Sequence, residues 1–303
     1  MRVLITGATG FVGQRVVKQL LAEGHQVVVL SRNVAKGALR LGSKCEYFQW
    51  IDTKSLPPLE AFKGVDGVVN LMGEGIAERR WSEEQKKIIH DSRIISTRNL
   101  IEAIGKLSQK PKVFVSASAV GIYGNRGDEE ITEASPVGED FLAQICKEWE
   151  AEAFKAREHG LRVSVIRTGV VLGRGGGALK KMLPVFKIGA GGPLGSGEQF
   201  MSWIHVDDLA SMYVEALKNS SIEGVYNGTA PYPAKNKEFT YALGKALHRR
   251  AFMPVPAFGV KLIFGEMSQV LLEGQKVLPV NFKMNNFRYK YPTLEMALKE
   301  TAY

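Results

Sequence analysis

The sequence predicts an α/β protein with a doubly wound parallel sheet and a smaller C-terminal lobe. Three observations predict it. Short runs rich in Val and Ile alternate with helical patterns over the first two-thirds of the chain, as expected of strands covered on both faces. A glycine-spaced turn joins the first strand to the first helix. After Gly169 the texture changes to open, glycine- and proline-punctuated segments.

In order, "RVLIT" (2–6) reads as a buried strand, Phe11 to Glu23 as a helix and "QVVVLS" (26–31) as the second strand. "GVVNLM" (67–72) is another apolar strand, and Ser82 to Ile104 a long amphipathic helix. "KVFVSAS" (112–118) is a strand, Glu139 to Glu158 a helix and "RVSVIRTG" (162–169) a strand. Beyond come "GRGGG" and "GAGGPLGSG", the shorter strands "WIHV" and "GVYNG", and several helices. This division places one unit at residues 1–170 and a smaller substrate-side lobe at 171–303, partly returning over the first.

The bulk properties exclude several classes. The chain has 303 residues, 45% apolar and 23% charged, ordinary values for a globular protein with ample core. No apolar run is long enough to span a bilayer, and no cleaved leader is expected. Cys45 and Cys146 are too few and too far apart for a disulfide framework, so a reducing, cytoplasmic setting is expected. The net charge is +9. The cations are scattered in short pairs, such as Arg79-Arg80 and Lys180-Lys181, without a basic tract, aromatic RNA-binding motif or zinc spacing. Nucleic acid and metal are therefore not expected, and a diffuse positive field suits a phosphate-rich small molecule. A protein partner is not readable.

"LITGATGFVGQRVVKQL" places Gly7, Gly10 and Gly13 between a strand and a helix. Gly7 allows the tight turn, Gly10 lets backbone approach a pyrophosphate, and Gly13 permits close helix–strand packing. The helix N-terminus then offers unpaired N–H groups to phosphates. Thr9, Phe11 and Val12 lie in the same turn. The second strand ends in Ser31-Arg32, where a carboxylate would favour NAD. A guanidinium there can take a 2′-phosphate through forked, charge-assisted bonds, with Ser31 adding a donor. NADP is the expected cofactor.

These residues resemble the extended short-chain dehydrogenase/reductases, which include nucleotide-sugar epimerases. "DSR", "KEWE", "RTGVVLGRGGGAL", "SWIHVDDLA", "NGTAP" and "GQKVLP" together resemble the family's atypical subgroup of epimerase family proteins, also labelled cell-division-inhibitor-like. The resemblance covers nearly the whole chain and implies an NAD(P)-binding Rossmann fold with a small helical C-terminal region. It implies that Leu71 and Met72 lie beside the adenosine ribose and Gly73 near the pyrophosphate. Arg93 would reach a phosphate or ribose, with Ile88 lining the same ligand. Ser116, Thr168 and Val171 would also sit along the cofactor.

In that superfamily a tyrosine moves the proton, a lysine four residues later shares its helix face, and a serine polarises the substrate oxygen. Ser118 aligns with the serine better than Ser116. Lys147 fits the lysine, but Ala143 stands where the tyrosine should be. A methyl group cannot transfer a proton. Tyr123 is the substitute acid to consider, against a packing role. His205 and Asp207-Asp208 read as a helix start, and Glu198-Gln199 as a substrate-side loop. Gly175 to Gly177 reads either as a hinge or as a close approach to ligand. Two functions stand: an NADP-dependent oxidoreductase lacking the usual tyrosine, or an inert NADP(H)-binding sensor or interaction protein. A nucleotide-sugar epimerase is disfavoured by Ala143.

Overall fold

The computed structural model describes residues 1–251 and 253–301. The chain begins with β1 (Arg2–Thr6), α1 (Phe11–Ala22), β2 (Gln26–Ser31), α2 (Val34–Leu41), β3 (Cys45–Gln49) and β4 (Gly67–Asn70). There follow α3 (Glu83–Gly105), β5 (Val113–Ala119), β6 (Glu130–Ile131), α4 (Phe141–Phe154), β7 (Arg162–Thr168) and β8 (Val170–Leu172). Next come α5 (Gly177–Lys187), β9 (Phe200–Met201), β10 (Trp203–His205), α6 (Val206–Lys218), β11 (Gly224–Gly228), β12 (Ala234–Lys235) and α7 (Asn236–Ala246). The last elements are α8 (Ala257–Phe264), α9 (Gln269–Leu272), β13 (Lys276–Val277), α10 (Val280–Met284) and α11 (Leu294–Thr301).

The central sheet has seven strands in the order β11-β7-β5-β4-β1-β2-β3, all paired in parallel. The strand order reverses between β1 and β4. That switch point opens a crevice at the carboxyl ends of the strands, where ligands of such sheets bind. Alternate side chains feed two cores. Val3, Ile5, Val27 and Val29 pack under α1 and α6, while Leu4, Val28 and Val68 pack under α3 and α4. Burial on both faces explains why these strands read as continuous apolar runs.

Two elements come from outside the 1–170 unit. β11 completes the sheet beside β7, and α6 packs along α1. His205 caps α6, accepting from the Asp207 amide at 3.2 Å, and its other ring nitrogen meets Glu300 at 3.1 Å. Asp208 accepts from the Lys290 and Tyr291 amides at 2.7 and 2.9 Å. The helix start expected at 205–208 thus also anchors the C-terminal segment.

α3 and α4 are joined by His90, whose ring nitrogens lie 2.8 Å from Glu148 and 3.1 Å from Asp91. Burial opposes the charged ring, but the two carboxylates outweigh it and hold its pKa above the usual imidazole value. The folded state therefore favours the charged form. Its contribution is complete below the unfolded pKa of about 6.5 and is lost as pH rises through the folded pKa. His90→Gln is expected to remove that part of the stability–pH slope. Urea unfolding midpoints measured across neutral pH check this, and identical slopes in both proteins would count against it.

Candidate cofactor and active site

The glycine turn fits a dinucleotide for physical reasons. Gly7 has φ +67°, and a Cβ on it would lie 2.5 Å from the Leu71 carbonyl oxygen. Only glycine allows β1 and β4 to end so close together. A Cβ on Gly13 would lie 2.3 Å from Gly7 O and 2.7 Å from Ala8 Cα. Gly13 therefore lets α1 close onto its own turn. Gly10 faces open space apart from Gly7 O, leaving room for an approaching pyrophosphate.

The start of α1 is left bare. Gly10 is its N-cap, no side chain caps it, and its first turn has no acid. By contrast, α3 is capped by Ser82 and followed by Glu83 and Glu84. The first amides of α1 are donors awaiting an anion. Thr9 lies at this end, its carbonyl accepting from Gln14 at 3.0 Å and Arg40 at 3.3 Å. Val12 is half-buried against the α1 core.

At the tip of β2, Arg32 is exposed, and no ion pair or side-chain hydrogen bond engages its guanidinium among the described residues. Ser31 is less free: its hydroxyl donates to Asn33 O at 3.0 Å and accepts the Asn33 amide at 3.2 Å. Its proton is committed to the turn, whereas the Arg32 guanidinium is not.

After β4, Leu71 packs toward the α1 core and Met72 toward the opposite one. Arg93 holds the following loop. Its guanidinium donates to Glu74 O at 2.8 Å and Ile89 O at 3.0 Å and lies 5.3 Å from the Trp149 ring centroid. A Cβ on Gly73 would meet it at 3.0 Å. Arg93 is a largely enclosed cation that makes no ion pair among the described residues. Burial pulls its pKa down. Ile88 does not share the Arg93 face. Five residues along a helix turn the side chain by about 140°, and Ile88 is 40% exposed.

Ser116 is fully buried. Its hydroxyl donates to Ala117 O at 3.2 Å and accepts from Asn70 at 3.4 Å. Its side chain belongs to a chain that links the sheet to α3 and α4: Thr6 donates to Asn70 at 2.7 Å, and Asn70 and Trp149 donate to Thr97 at 2.9 and 3.0 Å. At the end of β7, the Thr168 hydroxyl lies 3.4 Å from that of Tyr213. Val171 is half-buried in β8.

The residues facing Ser118 from α4 are not those that spacing suggested. Lys147 is exposed and Ala143 buried, and no hydrogen bond or ion pair joins Lys147 to Ser118 among the described residues. Glu150 and Cys146, one turn apart, face Ser118 instead. Ser118 donates to Glu150 Oε1 at 2.6 Å, and the Cys146 thiol lies against Ser118 and the Ala119 backbone. Arg167 clamps Glu150 with two bonds of 2.8 Å and donates a third, also 2.8 Å, to the Tyr123 phenol. Tyr123 donates onward to Asn227 at 2.7 Å. The phenol is fully buried, and burial raises its pKa despite Arg167. These contacts favour the packing role over that of a substitute acid. Its proton is committed to Asn227, and its oxygen has no open face. Ser118, at 3% exposure, likewise spends its hydroxyl hydrogen in a bond to Glu150.

Burial, and then Glu150, push the Cys146 thiol up to about 11. Burial also raises Cys45. Neither thiol is expected to react with a disulfide reagent in the native protein, because the thiolate is the nucleophile. Fast labelling of Cys146 before unfolding would show that the cluster opens to solvent.

The glycine-rich turn after β8 is a cradle for an aromatic ring. A Cβ on Gly176 would lie 2.2 Å from the Phe11 ring, and Gly173 and Gly177 meet it at 2.8 and 2.9 Å. Phe11 thereby ties the dinucleotide turn to α5. Glu198 is held by Lys235 and Lys237 at 2.9 and 2.5 Å, and Gln199 by the Leu194 and Leu271 carbonyls. Opposite, Arg80 reaches Leu262 O at 3.2 Å, Lys86 pairs with Glu266 at 2.6 Å, and Lys181 bonds Ala77 O.

Residues 3–227 match the model of the NAD dependent epimerase/dehydratase family, and residues 255–301 match a domain of unknown function, DUF1731. The chain is 45% identical over 301 residues to the Epimerase family protein SDR39U1 homolog, chloroplastic, of Arabidopsis thaliana, covering 99% of this chain and 86% of that one. It is 41% identical to the Homo sapiens Epimerase family protein SDR39U1, covering 99% of both. The crystal structure of the human protein with NADPH superposes with a TM-score of 0.89, covering 100% of this chain and 99% of that one. The UDP-glucuronic acid 4-epimerase of Bacillus cereus, at 18% identity and a TM-score of 0.80 over 100% of this chain and 98% of its own, shares the fold.

Proposed function

Since the chain belongs to the NAD dependent epimerase/dehydratase family, we propose that it is an NADP(H)-binding oxidoreductase working without a tyrosine proton donor. The bare N-terminus of α1 beneath Gly7, Gly10 and Gly13, with the unpaired Arg32 at the tip of β2, carries this reading. Amides of α1 would hold the pyrophosphate and Arg32 the 2′-phosphate. The human relative crystallised with NADPH supports the choice of cofactor. Bound NADPH supplies a hydride.

The protein side of proton transfer is what distinguishes this reading from epimerisation. Around Ser118 the ionisable groups are Cys146, Glu150, Arg167 and Tyr123, each buried. All but Cys146 are locked in mutual hydrogen bonds. None stands ready to give a substrate oxygen its proton. A missing general acid forfeits about a hundred- to ten-thousand-fold in rate. A second reading, an NADP(H)-binding sensor with no turnover, is favoured by the same closed cluster.

Titration of the purified protein with NADPH and NADH, followed by incubation with carbonyl compounds and with UDP-sugars, tests both. The expected result is preferential NADPH binding, slow carbonyl reduction and no interconversion of UDP-sugars. Tight binding without any reduction selects the sensor. Robust epimerisation would sink both readings. Ser118→Ala and Tyr123→Phe are expected to lower stability more than turnover. A turnover loss at unchanged stability would return them to the chemistry.

A further inference from the structure

Helix α1 has a second working face. Gly13, Val16, Val17 and Leu20 are buried against the sheet. Phe11, Gln14, Arg15, Lys18 and Leu21 recur at helical spacing on the other side and line a groove with Leu41. Arg15, Lys18, Arg40, Lys44 and Arg174 surround it. Among the described residues only Arg15 has a carboxylate partner, Asp207 at 3.7 Å. Arg40 bonds the Thr9 carbonyl. Lys18, Lys44 and Arg174 are exposed and make no ion pair among the described residues.

We propose that this groove is a second anion site, taking a phosphorylated small molecule with an apolar portion. Four cations without carboxylate partners around one concavity concentrate positive potential, because the low-dielectric walls focus the field. The apolar floor of Phe11, Leu21 and Leu41 gives the non-phosphate part of the ligand a surface. The groove measures about 690 Å³, within the roughly 300–1,000 Å³ usual for small-molecule sites. It is a half-open hollow flanked by α1, α2 and the turn at Arg174, whose limited length suits a compact ligand better than the stripe a nucleic-acid backbone follows. It lies on the flank of α1 rather than at the bare N-terminus. Phe11 and the Arg40–Thr9 bond nevertheless connect it to the dinucleotide turn.

Inorganic tripolyphosphate is the probe, titrated by calorimetry into the protein alone and into protein saturated with NADPH. Binding is expected in both, weakening as salt rises. It should weaken at least about tenfold in Lys18→Glu/Lys44→Glu and, independently, in Arg174→Glu, while NADPH affinity stays unchanged. No binding, binding indifferent to both variants, or displacement by NADPH would overturn the proposal. So would a single-stranded oligonucleotide that binds the groove when tripolyphosphate does not. The titration into protein alone stands whether or not NADPH is the cofactor.

Discussion

Replacing Glu150 by alanine is expected to cost about 3–5 kcal/mol of folding stability, the usual penalty for removing one partner of a buried ion pair. Arg167 is 6% exposed and makes two of its 2.8 Å bonds to Glu150. Without the carboxylate, a full charge would remain between β5, β7 and α4 with only the Tyr123 phenol and a 3.5 Å contact to Glu133 O. Ser118 would lose its acceptor as well. The effect comes mainly from stranding the arginine, so the double variant Glu150→Leu/Arg167→Met should recover most of the loss. Chemical denaturation of wild type, single and double variants measures this. A single variant within about 1 kcal/mol of wild type would show that the cluster is solvated rather than closed.

Arg32→Ala is expected to weaken NADPH binding by about tenfold to a hundredfold and to leave NADH binding nearly unchanged. Hydrogen bonds to charged groups contribute about 1.5–3 kcal/mol, and each 1.4 kcal/mol is about tenfold in affinity. The exposed, unpaired guanidinium breaks nothing in the fold when removed, so the change belongs to the ligand. Ser31→Ala should do much less, since that hydroxyl already closes the turn at Asn33. Calorimetric titration of both cofactors into the three proteins decides the point. The assignment fails if Arg32→Ala changes neither affinity, or changes both equally.

The elements most legible in the sequence are those whose environment is uniform. β1, β2, β4, β5 and β7 are buried on both faces, so each announces itself as a continuous apolar run. The glycine turn is legible because Gly7 and Gly13 meet backbone at 2.5 and 2.3 Å, and no other residue fits there. β3 was not legible. "CEYFQ" lies at the sheet edge beside β2 and mixes polar with apolar residues without a clean period. β11 and α6 were assigned to the far lobe because adjacency in sequence says nothing about which sheet a late strand rejoins.

The sequence by itself determined the parallel strands, the glycine turn and the cation at the end of β2. These are local: each depends on residues within one strand–turn–helix unit. Only the tertiary structure decided what faces Ser118. Along "AQICKEWE" several pairs stand four residues apart, and Ala143/Lys147 is as good a spacing as Cys146/Glu150. The choice is made by how α4 is rotated against β5, and that rotation is set by burying Ile145, Cys146, Trp149 and Ala153 together. Burial likewise turned Tyr123 into a strut, since its phenol meets Arg167 and Asn227 from strands 44 and 104 residues further along the chain.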